Sequence, residues 1–331
     1  MKVVKKSIIM PFLGFVISGI GIWIIAYKIN YHLLISSFHQ LNYYWIFMMV
    51  FIYIIGFVFR GIRWHFMLLP IKKIRVSVAM GGVIVGYMAN NIFPARAGEV
   101  IRALYIGNKE SISRTSSFGT IFIERMFDGL VMVGILIVSS YFLTFSADDK
   151  GIVKYVILLS SLIFGIATSI LLIGSKYGEI CGKYMNKFLT ILPLKLYRPL
   201  SLLFLKLLAS MDFIRNAKGL LTVLLFSSLV WLVEGLVFFS GFYAFDLLAN
   251  LPMAYFTLAF VNLGLLVPSA PGGVGIFQGA SILALSFFGI SPEVALSYSI
   301  VVHAVMIIPI TVLGIIIINR YGLSIWKLRN S

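Results

Sequence analysis

Of the 331 residues, 60% are hydrophobic and 11% are charged, and the mean hydropathy is +1.03. Soluble domains carry roughly 25% charged residues, so this composition excludes a soluble globular protein and predicts a polytopic membrane protein. The net charge is +16, but the basic residues lie in short loops between apolar stretches, and no nucleic-acid partner is expected.

The single cysteine, Cys181, excludes an internal disulfide and a cysteine cluster, so neither a cofactor nor a metal is expected.

The apolar stretches predict an all-α membrane protein with about six full spans. A bilayer-spanning helix needs about 20 apolar residues, and the first such stretch, which follows three lysines, is too long for a typical cleaved signal segment. We place the spans at 8–28, 43–69, 117–146, 152–175, 220–245 and 293–319.

Two further apolar stretches, 77–106 and 254–289, are too long for one clean helix and are broken near the middle. Pro94 breaks the first, and the turn cluster Pro268–Gly275 breaks the second. Each is predicted to be a re-entrant hairpin of two half-helices. Irregular backbone at membrane depth is tolerated only where protein buries it or water reaches it.

Charge distribution gives a predicted topology. Nineteen of the 27 lysines and arginines fall on the cytoplasmic side of this layout, three fall outside, and five lie within apolar stretches. Both termini are then cytoplasmic in a multi-pass protein of the cell membrane. The chain is predicted to be a single membrane domain, 1–331, with halves at 43–146 and 220–319 whose hairpins enter from opposite faces. That arrangement is an inverted repeat, a pattern found in transporters.

The segment 176–218 alternates basic residues with leucine, phenylalanine and methionine. It is predicted to lie on the inner leaflet as amphipathic helices. Two roles remain open for it: a linker on the membrane surface, or capture of an anionic headgroup.

The first hairpin carries three charges near its break, Arg96, Glu99 and Arg102. An ionised side chain at the bilayer centre costs about 2.5 to 3.5 kcal/mol, so these residues need partners or a function. They form one stripe on the helix that is expected to begin at Pro94, and arginine suits phosphate because its planar fork donates two parallel hydrogen bonds. The helix start would add free amide groups for an anion. The alternative is that Glu99 simply pairs both arginines.

A second charged cluster, Glu124, Arg125 and Asp128, lies early in the span that begins near 117. Its net charge is −1 and that of the first cluster is +1. If the six charges were unpaired in the bilayer, their total free-energy cost would exceed the free energy of unfolding of a typical protein. The two clusters are therefore expected to pair with each other. A purely structural salt-bridge role is the alternative.

Four other polar residues lie in predicted spans. Arg60 and Arg63 are expected to snorkel toward the cytoplasmic interface. Glu234 has no basic neighbour at helical spacing, so it must find a partner across the bundle or be protonated. His303 is interpreted as a hydrogen-bonded packing residue, with proton coupling as the alternative.

The second break is rich in glycine, at Gly272, Gly273 and Gly275. These glycines permit a tight turn and also allow backbone amides to approach an anion. Asn262 and Gln278 flank the break and are candidate hydrogen-bonding residues.

Three ordered motifs carry a family resemblance: FPARAGEVIR at 93–102, ERMFD at 124–128 and APGGVG at 270–275. With them, the chain resembles the transmembrane region of lysylphosphatidylglycerol synthases, which is also found alone in flippase-like membrane proteins. The resemblance implies a multi-helix unit that handles lipids. The positions that match the family motifs are Arg96, Gly98, Glu99, Arg102, Glu124, Arg125, Asp128, Gly272, Gly273 and Gly275.

The resemblance has one departure, because an acidic residue is common where Gln278 stands here. In the full synthases this region is associated with moving aminoacylated phosphatidylglycerol between leaflets. The soluble aminoacyl-transferring domain has no counterpart in these residues, so lipid aminoacylation by this chain alone is not expected. Some stand-alone relatives are linked to archaeal lipid-linked glycan assembly, which adds a polyprenyl-phosphate sugar as a cargo.

The sequence therefore predicts a flippase-like protein that binds and translocates a phosphate-bearing lipid. Arg96 and Arg102 would hold the phosphate, Glu99, Glu124 and Asp128 would orient them, and the glycines would form the opposing tip, with membrane lipids bearing anionic headgroups as partners. Recognised catalytic motifs are absent, so a carrier is favoured over an enzyme. Two alternatives stay open: a membrane-embedded glycosyl- or phosphotransferase, and a regulatory subunit for a separate lipid-modifying enzyme.

Overall fold

The computed structural model describes residues 2–94, 97–178, 180, 183, 187, 210–248 and 250–320. Arg96, Cys181 and most of the predicted amphipathic segment lie outside the described residues. The described helices are α1 (Lys2–Lys28), α2 (Tyr31–His39), α3 (Tyr43–Leu68), α4 (Val76–Ile92), α5 (Gly98–Glu110), α6 (Arg114–Tyr141), α7 (Ala147–Lys176), α8 (Asp212–Arg215), α9 (Ala217–Ala244), α10 (Leu251–Gly264), α11 (Ile276–Ser286) and α12 (Pro292–Arg320).

The described residues contain helices and no β-strand, which confirms the all-α prediction. Four of these helices, α3, α7, α9 and α12, are long and apolar enough to cross a membrane. A fifth candidate is formed by α1 and α2 together, which meet at an angle of 91°. The long helix α6 has 28 residues but carries three charges in its first half. The total number of spans stays a prediction.

One helix has no counterpart among the predicted elements. No element is predicted over 29–42, where the structure has α2. This helix begins at a local capping residue, because Asn30 Oδ1 accepts hydrogen bonds from the amides of His32 and Leu33 at 3.0 and 3.4 Å.

Both broken stretches form pairs of short helices that pack against each other. We call α4 and α5 with the intervening residues 93–97 the first hairpin, and α10 and α11 with residues 265–275 the second hairpin. Their tips meet, since a Cβ atom at Gly272 would lie 3.7 Å from the carbonyl oxygen of Asn91. The two breaks, which are far apart in sequence, are therefore neighbours in space.

The core of the bundle lies where α3 packs against α9 and α4. Small residues bring α3 and α4 close together, as in many membrane helix pairs. A Cβ atom at Gly82 would lie 2.6 Å from the ring of Trp64, so only glycine leaves room for that buried indole. Trp64 in turn supports a charged side chain of the site.

Candidate functional site

Eight charged side chains form one buried or partly buried cluster, which we call the ion-pair network. It joins α3, α5, α6 and α9 and, within the described residues, contains four arginines and four acids. Equal numbers of opposite charges are what a low-dielectric interior requires. The members are Arg60, Arg63, Glu99, Arg102, Glu124, Arg125, Asp128 and Glu234.

Arg102 and Glu124 form a forked pair between α5 and α6. The Nη1 and Nη2 groups of Arg102 donate to the two carboxylate oxygens at 2.9 and 2.8 Å, and both residues are fully buried. The guanidinium carbon lies 3.8 Å from the centre of the Trp64 ring, a close cation–π contact. This pair confirms the prediction that the two charged clusters pair with each other.

Arg63, like Glu124, has no exposed surface. The Arg63 guanidinium pairs with Asp128 through both oxygens, lies 3.1 Å from Glu124 and donates to Ser227 at 2.7 Å. The prediction that Arg63 snorkels is wrong, because α6 places two carboxylates one turn apart opposite this side chain.

Arg60 also lies inside the bundle, 1% exposed, so the snorkelling prediction is wrong here as well. It forms an ion pair with Glu234 of α9, and its Nε donates to the hydroxyl of Tyr87 at 3.1 Å. Glu234 is expected from the sequence either to find a partner across the bundle or to be protonated, and the structure gives it the partner Arg60.

Arg125 is held more loosely than the other three arginines. A quarter of its side chain is exposed, and its distances to Glu99 and Asp128 are 3.5 and 3.7 Å. Its Nη1 donates to the hydroxyl of Tyr87 at 3.4 Å. Tyr87 therefore accepts hydrogen bonds from two arginines on different helices.

The helix after the first break begins at Gly98 and not at Pro94 as expected. The Gly98 amide donates to Asn90 Oδ1 at 2.7 Å, so a side chain of the same hairpin caps it. That amide is not available to an anion. Arg96, which is predicted to hold phosphate, lies outside the described residues.

The second tip is built without charge. Gly272, Gly273 and Gly275 all have positive φ angles, of 67°, 79° and 89°, which other residues rarely adopt. Gln278 binds at both ends of its amide: Oε1 accepts from the Gly275 amide at 2.8 Å, and Nε2 lies 3.0 Å from Nδ1 of His303. A glutamate could make the first of these bonds but, when ionised, has no hydrogen for the second.

The two tips are tied to the same helix, α12. His303 Nε2 lies 2.8 Å from the carbonyl oxygen of Gly272, and its ring stacks on Phe277. On the other side, the side chain of Asn91 donates to the hydroxyl of Thr311 at 3.0 Å. His303 thus has the packing role predicted for it, with a specific place under the second tip.

A cavity of about 490 Å³ lies between the two tips and the ion-pair network. Of the predicted site residues, six line it: Glu99, Arg125, Asp128, Glu234, Gly272 and Gly273. Gly98, Arg102, Glu124, Gly275 and Gln278 stand behind the lining, where they hold its helices and the second tip. Among the described residues, no three histidine, cysteine or acidic side chains are grouped to hold a metal ion.

The sequence model of a family described as lysylphosphatidylglycerol synthase TM region matches residues 12–314. The chain belongs to this family. The resemblance predicted from the three motifs is thereby confirmed, and the protein is an integral multi-pass membrane protein. No solved structure matches the chain.

Curated relatives come from archaea. A UPF0104 membrane protein of Methanocaldococcus jannaschii is 27% identical over 69% of this chain and 91% of its own length. The glycosyltransferase AglD of Haloferax volcanii is 24% identical over 77% of this chain, and the match covers 45% of AglD. The chain therefore spans about half the length of AglD and most of the length of the UPF0104 protein.

Several residues that line the cavity were not singled out from the sequence. Tyr53, Tyr87 and Trp231 look like ordinary aromatic residues of apolar helices, and no sequence signal marks them. The pair Asn90 and Asn91 does carry a signal, because two consecutive amides in an apolar helix must find hydrogen-bond partners.

Proposed function

We propose that this protein binds a phosphate-bearing lipid by its headgroup in the cavity between the two hairpin tips and moves that lipid between leaflets. The observation that carries the proposal is the cavity itself, whose lining places charged and polar side chains among apolar ones between membrane-length helices. Polar groups of this kind are costly in a membrane and mark substrate pathways. The acyl or prenyl chains would remain in the bilayer.

The charge balance favours an anionic headgroup. The described network is neutral, with four arginines and four acids. Arg96, in the first tip by sequence, adds a fifth arginine against the same four acids. A phosphate diester carries a single negative charge and would complete the balance.

The arrangement of the hairpins supports movement of the lipid across the membrane. We propose that the two halves form an inverted repeat, that the hairpins enter from opposite faces, and that both termini face the cytoplasm in the cell membrane. In transporters of this kind, paired broken helices meet at a site near the midplane. Separation of the tips on alternate sides would then expose the cavity to one leaflet at a time.

The name of one relative supports a second candidate function. AglD is called a glycosyltransferase, and its match to this chain covers 45% of its length. This chain would then act with a separate lipid-modifying enzyme in lipid-linked glycan synthesis, and a polyprenyl-phosphate sugar would be the bound lipid. In that function the protein binds the lipid but does not transfer it between leaflets.

Reconstitution into vesicles tests the proposal. Fluorescent phosphatidylglycerol and a fluorescent polyprenyl-phosphate sugar are placed in the vesicle membrane, and a membrane-impermeant quencher reports how fast each lipid exchanges between leaflets. The wild-type protein is expected to accelerate exchange of at least one of them. Specific binding without acceleration would favour the second function, and acceleration of neither lipid would contradict translocation.

Two glycines of the second hairpin provide a matched pair of variants for this assay. Gly273→Ala places a Cβ atom 2.6 Å from Leu265 at a residue with a positive φ angle, so the tip is strained. Gly279→Ala adds the same methyl group in α11, where, outside the adjoining helix backbone, no described atom lies within 4 Å. Transport is expected to fall in Gly273→Ala and to stay at the wild-type rate in Gly279→Ala.

A further inference from the structure

The four described arginines of the network divide into two pairs by what surrounds them. Arg63 and Arg102 are fully buried, are paired through both edges of a carboxylate, and do not line the cavity. Arg60 and Arg125 do line the cavity. The first pair is committed to holding helices together, and the second pair faces the space where a ligand would lie.

Arg60 and Arg125 each retain a donor that makes no hydrogen bond among the described residues. Nη1 of Arg60 is buried and has no hydrogen-bond partner, and Nε of Arg125 has only the 3.5 Å approach of Glu99. An unsatisfied buried donor on a charged group is destabilising, so a ligand that supplies an acceptor there is favoured. Nε atoms of Arg63 and Arg102 are unsatisfied too, but these two residues lie behind the cavity lining.

Tyr87 joins the two cavity arginines. Its hydroxyl oxygen accepts from both of them, and both guanidinium carbons lie near its ring, at 5.3 Å for Arg60 and 5.4 Å for Arg125. Glu234, Glu99 and Asp128 balance the charge of the two arginines, so the arginines and Tyr87 offer a ligand converging hydrogen-bond donors. Among the described residues, no acceptor is found for the hydroxyl hydrogen of Tyr87, which is a further donor beside the two arginines.

From this geometry we infer that Arg60, Tyr87 and Arg125 form the phosphate-binding subsite of the cavity. A phosphate group has several acceptor oxygens and suits converging guanidinium and hydroxyl donors. Glu234 would stay paired with Arg60 and fix its orientation, and the phosphate would share Nε of Arg125 with the long contact of Glu99. The inference rests on the proposed function, and it moves the phosphate contact from Arg102 to Arg60, which is expected from the sequence to snorkel, and to Arg125, which is one of the predicted site positions.

Native mass spectrometry of the detergent-solubilised protein tests the subsite with four lipids. Phosphatidylglycerol is compared with diacylglycerol, and a polyprenyl phosphate with the corresponding polyprenol, so that each phosphate lipid has a partner without the phosphate. The wild-type protein is expected to retain at least one phosphate lipid in preference to its partner. Which lipid is retained distinguishes a phospholipid from a polyprenyl carrier.

Three variants then locate the phosphate. Arg125→Gln is expected to weaken retention by about tenfold, and Tyr87→Phe by a few-fold, because each removes hydrogen bonds to a charged group. Lys72→Gln makes the same change of charge at a half-exposed residue outside the cavity and is expected to bind like the wild type. Melting temperatures establish that the compared variants are folded.

The outcomes separate the two claims. If the wild-type protein prefers no phosphate lipid over its phosphate-free partner, the proposed function fails. If it does, but Arg125→Gln and Tyr87→Phe both retain the lipid like Lys72→Gln, the subsite assignment is wrong and the proposed function stands. Should Arg125→Gln not fold, Arg125→Lys keeps the charge without the planar fork and is expected to bind at an intermediate level.

Discussion

The two hairpins end in tips of different chemistry that meet at one cavity. Beside the first tip, the chain is held by charge, through Glu99 with Arg125 and Arg102 with Glu124. The second tip is held by backbone conformation and by the neutral contacts of Gln278. Both solutions place irregular backbone inside an apolar bundle.

The difference shows what each side contributes to the proposed function. Charges can recognise a ligand but are costly unless every partner is present. A neutral glycine tip has little chemical selectivity but allows close contact and release. Substitutions near the first tip should therefore act through charge balance, and substitutions in the second should act through shape and hydrogen bonding.

The largest effect is expected for Arg63→Met. This change removes the cation that lies between Glu124 and Asp128 and leaves buried negative charge without its main partner. We expect a loss of about 3 to 5 kcal/mol in the free energy of unfolding. Denaturant unfolding in detergent measures it, and a transition midpoint equal to that of the wild type would contradict the central place of Arg63.

Arg60 and Glu234 pair with each other and with no other charged residue among the described ones, so replacing both keeps the charge balance of the network. Arg60→Met alone should cost several kcal/mol, but Arg60→Met combined with Glu234→Met should recover most of that loss, to within about 1 to 2 kcal/mol. Phosphate-lipid retention should stay low in the double variant because the cavity donor is gone. Recovery of both stability and retention would show that Arg60 is only structural.

Gln278→Glu introduces a titratable group into the neutral tip. The carboxylate can still accept from Gly275, but it needs a bound proton to bridge to Nδ1 of His303. Stability is therefore expected near the wild-type level at acidic pH, and about 1 to 2 kcal/mol lower once rising pH removes that proton. Melting temperatures over a pH series measure the effect, and parallel curves for the two proteins would argue against the amide bridge.

The smallest effect is expected for Lys72→Gln. Lys72 lies 3.5 Å from Glu110 at the surface, where water screens the pair. Such pairs contribute about 0 to 1 kcal/mol, so the unfolding midpoint should hardly change. A loss comparable with that of Arg63→Met would remove the distinction between surface and buried charge in this protein.

The sequence predicts the helices well because apolar length decides them, and each of the six expected spans coincides with one described helix to within six residues at either end. It also predicts the pairing of Arg102 with Glu124, since the cost of isolated charge forces it. The sequence does not predict the roles of Arg60 and Arg63. Their position near the end of a span does not show which acidic residues of other helices face them. The contact between Asn91 and Gly272 joins residues far apart in sequence, and no local pattern reports it.

The attachment of both tips to α12 has a mechanical consequence. His303 holds the second tip before Pro309, and Thr311 holds Asn91 after it. Proline has no amide hydrogen, so the carbonyl of Val305 lacks its helical partner and α12 is weakest between its two attachments. A change in the bend of α12 at Pro309 would therefore alter the spacing of the two tips without breaking either attachment.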